Sequence, residues 1–167
     1  MFRIIPVTGT KTIEPVARLA REIWTEHYTP IIGKDQVDYM LDKFQSATAI
    51  RQQLDQAVKY FLLEQDEEPV GYLSYRLEKD HLFLSKIYVL KSQRGKGIGK
   101  KALEFLKEQA GISGIQKIKL TVNKYNSNSI RAYEKMGFVQ VDAIVQDIGN
   151  GFVMDDYVLE KTFSISK

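Results

Sequence analysis

The chain contains no cysteine. That excludes disulfide bonds, a thiol nucleophile and a cysteine-ligated zinc site, and it is compatible with a reducing compartment. Histidine is nearly as scarce. His27 and His81 are the two present, too few for a histidine metal cluster. Long apolar runs are missing too, and none approaches the length a membrane-spanning helix needs. The start, Met1-Phe2-Arg3-Ile4-Ile5-Pro6-Val7, lacks the apolar core of a signal peptide. There is little excess charge of one sign. A net charge of +3 mildly favours anionic ligands, whereas nucleic-acid binding asks for a strong basic bias with stacking aromatics. These absences lead to the expectation of a soluble cytoplasmic protein with no metal, no nucleic-acid partner and no membrane partner.

What is present is ordinary for a globular protein: 44% hydrophobic and 27% charged residues in 167. A chain of this length is expected to form a single domain, 1–167, that buries about 70% of its unfolded surface. Residues 1–57 read as an N-terminal strand followed by helices, and 58–162 as a core closed by a hairpin. Phe2 to Val7 is a strand. Thr12-Ile13-Glu14-Pro15 opens a helix with Thr12 as N-cap; Val16, Leu19, Ala20, Ile23 and Trp24 stripe it, and Tyr28-Thr29-Pro30 ends it. Val37, Met40, Leu41 and Phe44 stripe a second helix, with Ile50, Leu54 and Val58 leading toward a third. Strands over 60–64 and 70–77 flank the acidic turn 65–69, and a further strand runs from His81 to Leu90.

That strand meets Lys91-Ser92-Gln93-Arg94-Gly95-Lys96-Gly97-Ile98-Gly99-Lys100. Beyond it, Ile98, Ala102, Leu103, Phe105 and Leu106 recur at helical spacing, so the glycines open a helix. Strand, glycine turn and helix start make an anion cradle. Glycine lets the backbone approach a ligand closely, and the first amides of a helix have no intrahelical partner. Arg94, Lys96 and Lys100 add positive charge, and a pyrophosphate is the expected guest. A P-loop is excluded because Gly99-Lys100 is followed by Lys101, where Ser or Thr belongs. A dinucleotide fingerprint is met weakly by Gly97-Ile98-Gly99-Lys100-Lys101-Ala102. The acidic residue it wants about 20 positions on is missing from Lys119-Leu120-Thr121-Val122-Asn123. The bland alternative for the glycines is a tight turn without a ligand.

A strand over 117–122, a helix over 126–135, and two strands around Gly149-Asn150-Gly151 complete the chain, with 162–167 as a frayed tail. In the helix over 126–135, Asn126, Ser129 and Tyr133 fall on one face, and Gly137 stands where a helix C-cap belongs.

Two stretches carry a family likeness. Arg94-Gly95-Lys96-Gly97-Ile98-Gly99 fits Arg/Gln-x-x-Gly-x-Gly/Ala, and Asn126-Ser127-Asn128-Ser129-Ile130-Arg131-Ala132-Tyr133-Glu134-Lys135-Met136-Gly137-Phe138 fits Asn-x-x-Ser/Ala-x-x-x-Tyr-x-Lys-x-Gly-Phe. In this order and about 30 residues apart, they make the chain resemble the GNAT superfamily of N-acetyltransferases. The resemblance implies an α/β (α+β) fold. Its sheet is mixed, mostly antiparallel and seven-stranded, with helices on both faces and a splayed central parallel strand pair. The parallel strands would end near Val89 and begin near Lys117.

The resemblance further implies an enzyme that moves an acetyl group from acetyl-CoA to an amine acceptor. It assigns Ile87, Tyr88 and Val89 to the pantetheine arm. Arg94, Gly95, Lys96, Gly97, Ile98, Gly99 and Lys100 would hold the pyrophosphate, and Asn126 and Ser129 would make further cofactor contacts. Tyr133 would protonate the leaving sulfur, a role that suits a phenol that is protonated at neutral pH. The general base stays unassigned among Glu64, Glu78, Asp155 and Asp156. Asn126 has the alternative role of helix N-cap, and Tyr133 that of a packed aromatic. Ile23-Trp24-Thr25-Glu26-His27-Tyr28 and Val37-Asp38-Tyr39-Met40-Leu41 are similar to the first helices of bacterial polyamine (spermidine/spermine) acetyltransferases. Glu26, Asp35 and Asp38 would suit a cationic acceptor. A non-catalytic CoA-binding module is the competing reading, and the sequence is compatible with a homodimer as well as a monomer.

Overall fold

The computed structural model describes residues 1–164. In chain order come β1 (Phe2–Pro6), α1 (Thr10–Ile32), α2 (Lys34–Gln45), α3 (Ala47–Asp55), β2 (Lys59–Gln65), β3 (Glu68–Leu77) and β4 (Leu82–Val89). They are followed by α4 (Ile98–Ile112), β5 (Lys117–Asn123), α5 (Ser127–Lys135), β6 (Val139–Gly149) and β7 (Phe152–Thr162). The strands form a seven-stranded sheet in the order β1-β2-β3-β4-β5-β7-β6. β4 and β5 are parallel, while β1–β2, β2–β3, β5–β7 and β6–β7 are antiparallel. The mixed, mostly antiparallel sheet is the one expected.

Several boundaries differ from expectation. Helix α1 starts before Thr12, which sits inside its first turn. The Thr12 hydroxyl accepts the Thr8 and Gly9 amides at 3.0 and 3.3 Å, so it caps from the third position. The helix also passes Pro30. A proline so near the end forfeits a single helical bond, and the helix closes at Gly33 (φ +85), whose amide returns to the Thr29 carbonyl at 3.0 Å. The turn between β2 and β3 is tighter than 65–69. Asp66 and Glu67 alone make it, at φ +52 and +69, the left-handed pair that a two-residue hairpin demands. A third helix, α3, is distinct and ends at Asp55, before Val58. At the end of the chain, Thr162 belongs to β7 and the Phe163 amide bonds Gln116 O at 2.9 Å, while 165–167 lie outside the described residues.

The chain divides into two compact units, Met1–Arg76 with Lys86–Gly99, and Leu77–Ser85 with Lys100–Lys167. In the first, the α1 stripe of Val16, Leu19, Ala20, Ile23 and Trp24 is buried as its spacing requires. Its interior also holds a polar knot. Gln45, 2% exposed, donates to Tyr60 Oη at 3.0 Å and accepts from Tyr72 Oη at 2.6 Å, and Tyr60 Oη donates to Gln53 Oε1 at 2.5 Å. These bonds tie α2 and α3 to β2 and β3 and satisfy groups that would otherwise be costly to bury. Burial pushes the Tyr60 phenol up to about 12, and the Tyr72 phenol well above its ordinary value.

In the second unit, β5 buries Ile118, Leu120 and Val122 by strict alternation. The inward residues of α4, Ala102, Leu106 and Ala110, are buried too. The parallel register between β4 and β5 covers three pairs, Leu82↔Ile118, Phe83↔Lys119 and Leu84↔Leu120. The rest of β5, from Thr121 to Asn123, is laddered to β7.

Candidate active site

The end of β4 is fixed from three sides within the first unit. Leu90 donates its amide to Val70 O at 2.8 Å. Tyr88 packs edge-on against Trp24, with centroids 5.5 Å apart, and its hydroxyl lies 3.1 Å from that of Tyr28. Ile87, Tyr88 and Val89 are all half-buried. One turn of 3-10 helix, Lys91–Gln93, follows and delivers the chain to the glycine loop.

Gly95 and Gly97 both stand at φ +79, with open space where a Cβ would be. Among the described residues, no backbone carbonyl takes the amides of Gly95, Lys96 or Gly97. The first turn of α4 adds its own unbonded amides and the positive end of its dipole. Ile98 is 3% exposed, so its side chain anchors the loop and only its amide is free to face a ligand. Arg94 donates through Nε to Val89 O at 3.2 Å, and Lys96 reaches Gln93 Oε1 at 3.3 Å. Arg94, Lys96 and Lys100 are exposed. Open backbone amides and exposed cationic side chains thus share this stretch of the chain.

Beside the end of β4 lies a groove of about 350 Å³ lined by Glu22, Glu26, Leu90, Lys91 and Ser92. Glu22 and Glu26 are one helical turn apart, and Lys91 Nζ is 3.8 Å from Glu26. Of the other acidic residues on these helices, Asp38 is bound to Lys34 at 2.6 Å.

In the second unit, Asn126, Ser129 and Tyr133 share one face of α5, as their spacing predicts. Asn126 stands at the N-cap, yet its side chain makes no capping bond, although the residue is 4% exposed. The helix-cap alternative therefore accounts for its position but not for its amide. The other end of α5 explains the Tyr-x-x-x-Gly-Phe pattern physically. Phe138 N bonds Tyr133 O and Gly137 N bonds Glu134 O, both at 3.0 Å, and Gly137 takes φ +96. This is a Schellman terminator, and its hydrophobic contact is the edge-on pair Tyr133–Phe138 at 5.6 Å. Tyr133 thus holds the helix end while half-exposing its ring.

Ile87, Tyr88, Val89 and Arg94 through Gly99 are brought together in the first unit, while Lys100, Asn126, Ser129 and Tyr133 belong to the second. Sequence reasoning passed over Glu22, whose spacing from Glu26 was the available signal. It also left Asp156 unmarked among four carboxylates. Asp156 is 3% exposed, and burial first, then the Asp155 charge, pushes its carboxyl up to about 6. Among the described residues, no group of three or more His, Cys, Asp or Glu side chains is placed to hold a metal ion. No helix among them is long and apolar enough to cross a membrane.

A strand, an amide-lined glycine loop opening a helix, and a parallel strand pair followed by an Asn-to-Tyr helix define an acetyltransferase-type fold. Residues 17–138 match the model of the acetyltransferase (GNAT) family, and the chain belongs to that family. The uncharacterized N-acetyltransferase YycN of Bacillus subtilis (strain 168) is 31% identical over 84 residues, 48% of this chain and 54% of that protein. The match thus spans about half the length of that relative. Among solved structures, the PaiA N-acetyltransferase of Thermoplasma acidophilum, in complex with coenzyme A, superimposes with a TM-score of 0.81 at 21% identity, covering 98% of this chain and 99% of that one. The GCN5-related N-acetyltransferase of Rhodopseudomonas palustris gives 0.80 at 16% identity, covering 96% and 95%. At such identities these structures establish the fold.

Proposed function

We propose that the protein is an acetyl-CoA-dependent N-acetyltransferase acting on a primary amine of a small molecule or protein by direct attack. The observation that carries this reading is the run of unbonded amides from Gly95 into the first turn of α4, with two glycines already held in the left-handed region. Such amides are pre-oriented for a diphosphate. Arg94, Lys96 and Lys100 surround it, and the edge of β4 from Ile87 to Val89 takes the pantetheine arm. A cofactor of this kind supports the reading of a cytoplasmic protein.

Acetyl-CoA supplies the activated acetyl group; the chain supplies position, polarisation and proton traffic. A main-chain amide at the end of β4 bonds the thioester oxygen as negative charge builds there. The neutral amine attacks the carbonyl carbon, the C–N bond forms and the C–S bond breaks. Tyr133 gives its phenolic proton to the departing sulfur and regains one from the acylated nitrogen. Holding the two reactants in attack geometry provides most of the rate. Glu22 and Glu26 in the groove beside β4 support a cationic acceptor such as a polyamine, which would compete with Lys91 for Glu26.

The test combines binding and turnover. Acetyl-CoA and CoA raise Tm whereas NADPH does not, because a ligand stabilises only the state it binds. Thiol release follows with at least one amine among spermidine, spermine, tyramine and an alanyl peptide. Tyr133→Phe keeps the acetyl-CoA shift and slows thiol release by roughly 10²–10⁴. A Tm shift without thiol release from any amine would establish the non-catalytic CoA-binding module instead. Release with tyramine or the peptide alone would reject the polyamine.

A further inference from the structure

Helix α5 carries Tyr133 but buries none of its nine residues. A helix this short does not hold its shape in water by itself, so its place depends on what grips its ends. The front end is held at Asn126, 4% exposed, whose amide bonds Asn123 O at 2.9 Å. Tyr133 lies near the far end, and two groups reach that end. Phe138, 2% exposed, is rooted in the core but hangs beyond Gly137. Lys161 of β7 donates from Nζ to Met136 O at 2.7 Å, and Met136 is the C-cap of the helix itself.

Lys161 is not placed as an ordinary surface lysine. The β5–β7 register sets it opposite Ile118, which is fully buried, and residues paired across antiparallel strands share a face. Its stem therefore runs along the core side of the sheet, and its ammonium needs an acceptor where it emerges. The carbonyl end of α5, the negative end of the helix dipole, supplies one. The approach is so close that a Cβ on Gly137 would stand 2.5 Å from Nζ. Gly137 thus serves twice: it takes φ +96 for the terminator, and it leaves the gap that the ammonium fills.

We infer that Lys161 is a positioning residue for Tyr133, the group that fixes where the phenol stands when the sulfur departs. This rests on the acetyltransferase reading with Tyr133 as proton donor, and deepens it. The ammonium touches no reacting atom. It acts through Met136, whose amide bonds Tyr133 O at 3.0 Å in the same terminator. Without that grip α5 stays held at Asn126 and swings about that point, so the Tyr133 end moves most. A displacement of about 1 Å in a catalytic group costs on the order of 10² in rate.

The experiment is a double-mutant cycle on the full chain, with acetyl-CoA and whichever of the four amines above the wild type acetylates. Lys161→Met keeps the stem and removes the donor. It lowers kcat by roughly 10–10² and leaves KM for acetyl-CoA within about threefold, because the Asn126 end is undisturbed. Tyr133→Phe, which costs roughly 10²–10⁴ in the wild type, costs less than about tenfold in the Lys161→Met background. Lys161→Arg recovers part of the rate and of the Tyr133 effect. Gly137→Ala removes the same bond while keeping the lysine, and its Tyr133→Phe effect shrinks likewise; it carries the test should Lys161→Met not fold. A Tyr133→Phe effect of full size in these two backgrounds, or an arginine variant as slow as the methionine one, overturns the inference while the acetyltransferase stands. A wild type indifferent to Tyr133→Phe removes the proton donor and this inference together. One that releases no thiol with any amine removes the acetyltransferase as well.

Discussion

A Cβ placed on Gly71 would stand 2.3 Å from the carbonyl oxygen of Tyr88 and 3.1 Å from Val89 Cα. The neighbours are backbone, so neither can rotate away as a side chain tip would. β3 is bulged at this point, its register with β2 shifting between Leu63 and Glu64, and the missing side chain lets the end of β4 close in. Gly71→Ala must therefore push Tyr88 and Val89 outward. The expected result is a loss of about 1–3 kcal/mol in urea unfolding together with a raised KM for acetyl-CoA. Unchanged stability and KM would mean that β4 is not held where the proposed thioester contact needs it.

The glycine loop separates strain from access. Gly97→Ala forces a Cβ into the left-handed region, with an expected cost of about 1–2 kcal/mol and weaker acetyl-CoA binding. Gly99 is different: it lies in the first turn of α4 with no positive φ, and among the described residues nothing outside its chain neighbours and its own helical backbone comes within 4 Å of a Cβ. Gly99→Ala should leave stability unchanged or raise it by up to about 1 kcal/mol, since alanine favours helix. It should still weaken acetyl-CoA at least tenfold, because the methyl stands where the diphosphate approaches. Thermal melts with and without acetyl-CoA read both effects. Full affinity in the Gly99 variant would move the diphosphate away from these amides.

Local chemistry made the loop and the α5 motif legible. Glycines at a strand-to-helix junction, and a tyrosine four residues before Gly-Phe, impose backbone geometries that little else can satisfy. The alternation of Ile118, Leu120 and Val122 placed β5 for the same reason. What stayed hidden depended on distant pairing. Gly71 reads as one more strand glycine until Tyr88 is found against it. Asp156 resembles Asp155 until the β5 and β7 register turns one toward Lys124 and leaves the other buried. Gln45 looks like a surface residue of α2 until Tyr60 and Tyr72 close over it. Pro30 reads as a helix end, yet in the last turn of α1 a proline forfeits a single bond and the helix runs on to Ile32.

Lys86 carries a cost that its strand does not disclose. Burial first, and then the Arg76 charge, pulls its ammonium down to about 8, with its nitrogen 6.0 Å from the centre of the Tyr60 ring. The unfolded chain keeps that proton up to about 10.5, so between these values the unfolded state binds more protons and stability rises with pH. Below about 8 the penalty is fully present. Lys86→Met should therefore stabilise the protein at pH 7 by about 1–2 kcal/mol, with the lost cation–π contact offsetting part of the gain. The gain should fade as pH rises from 8 to 10.5. Urea unfolding of both proteins across that window measures it, and a destabilised Met variant would show that Lys86 is held by more than it costs.

Asp156 imposes the opposite pH course on folding. Its folded-state pKa of about 6 lies above the ordinary 3.8, so the native protein keeps the proton through a window in which the unfolded chain has already lost it. There the native state binds more protons, and stability falls as pH rises from about 4 to about 6. The shift corresponds to roughly 3 kcal/mol at 1.36 per unit. Above that window the carboxylate is charged in both states and the cost stays constant. Asp156→Asn should remove the slope, since an amide of the same shape does not titrate, and should be the more stable protein at pH 7.5. Parallel pH profiles for wild type and variant that keep the same slope through this window would place the titration elsewhere.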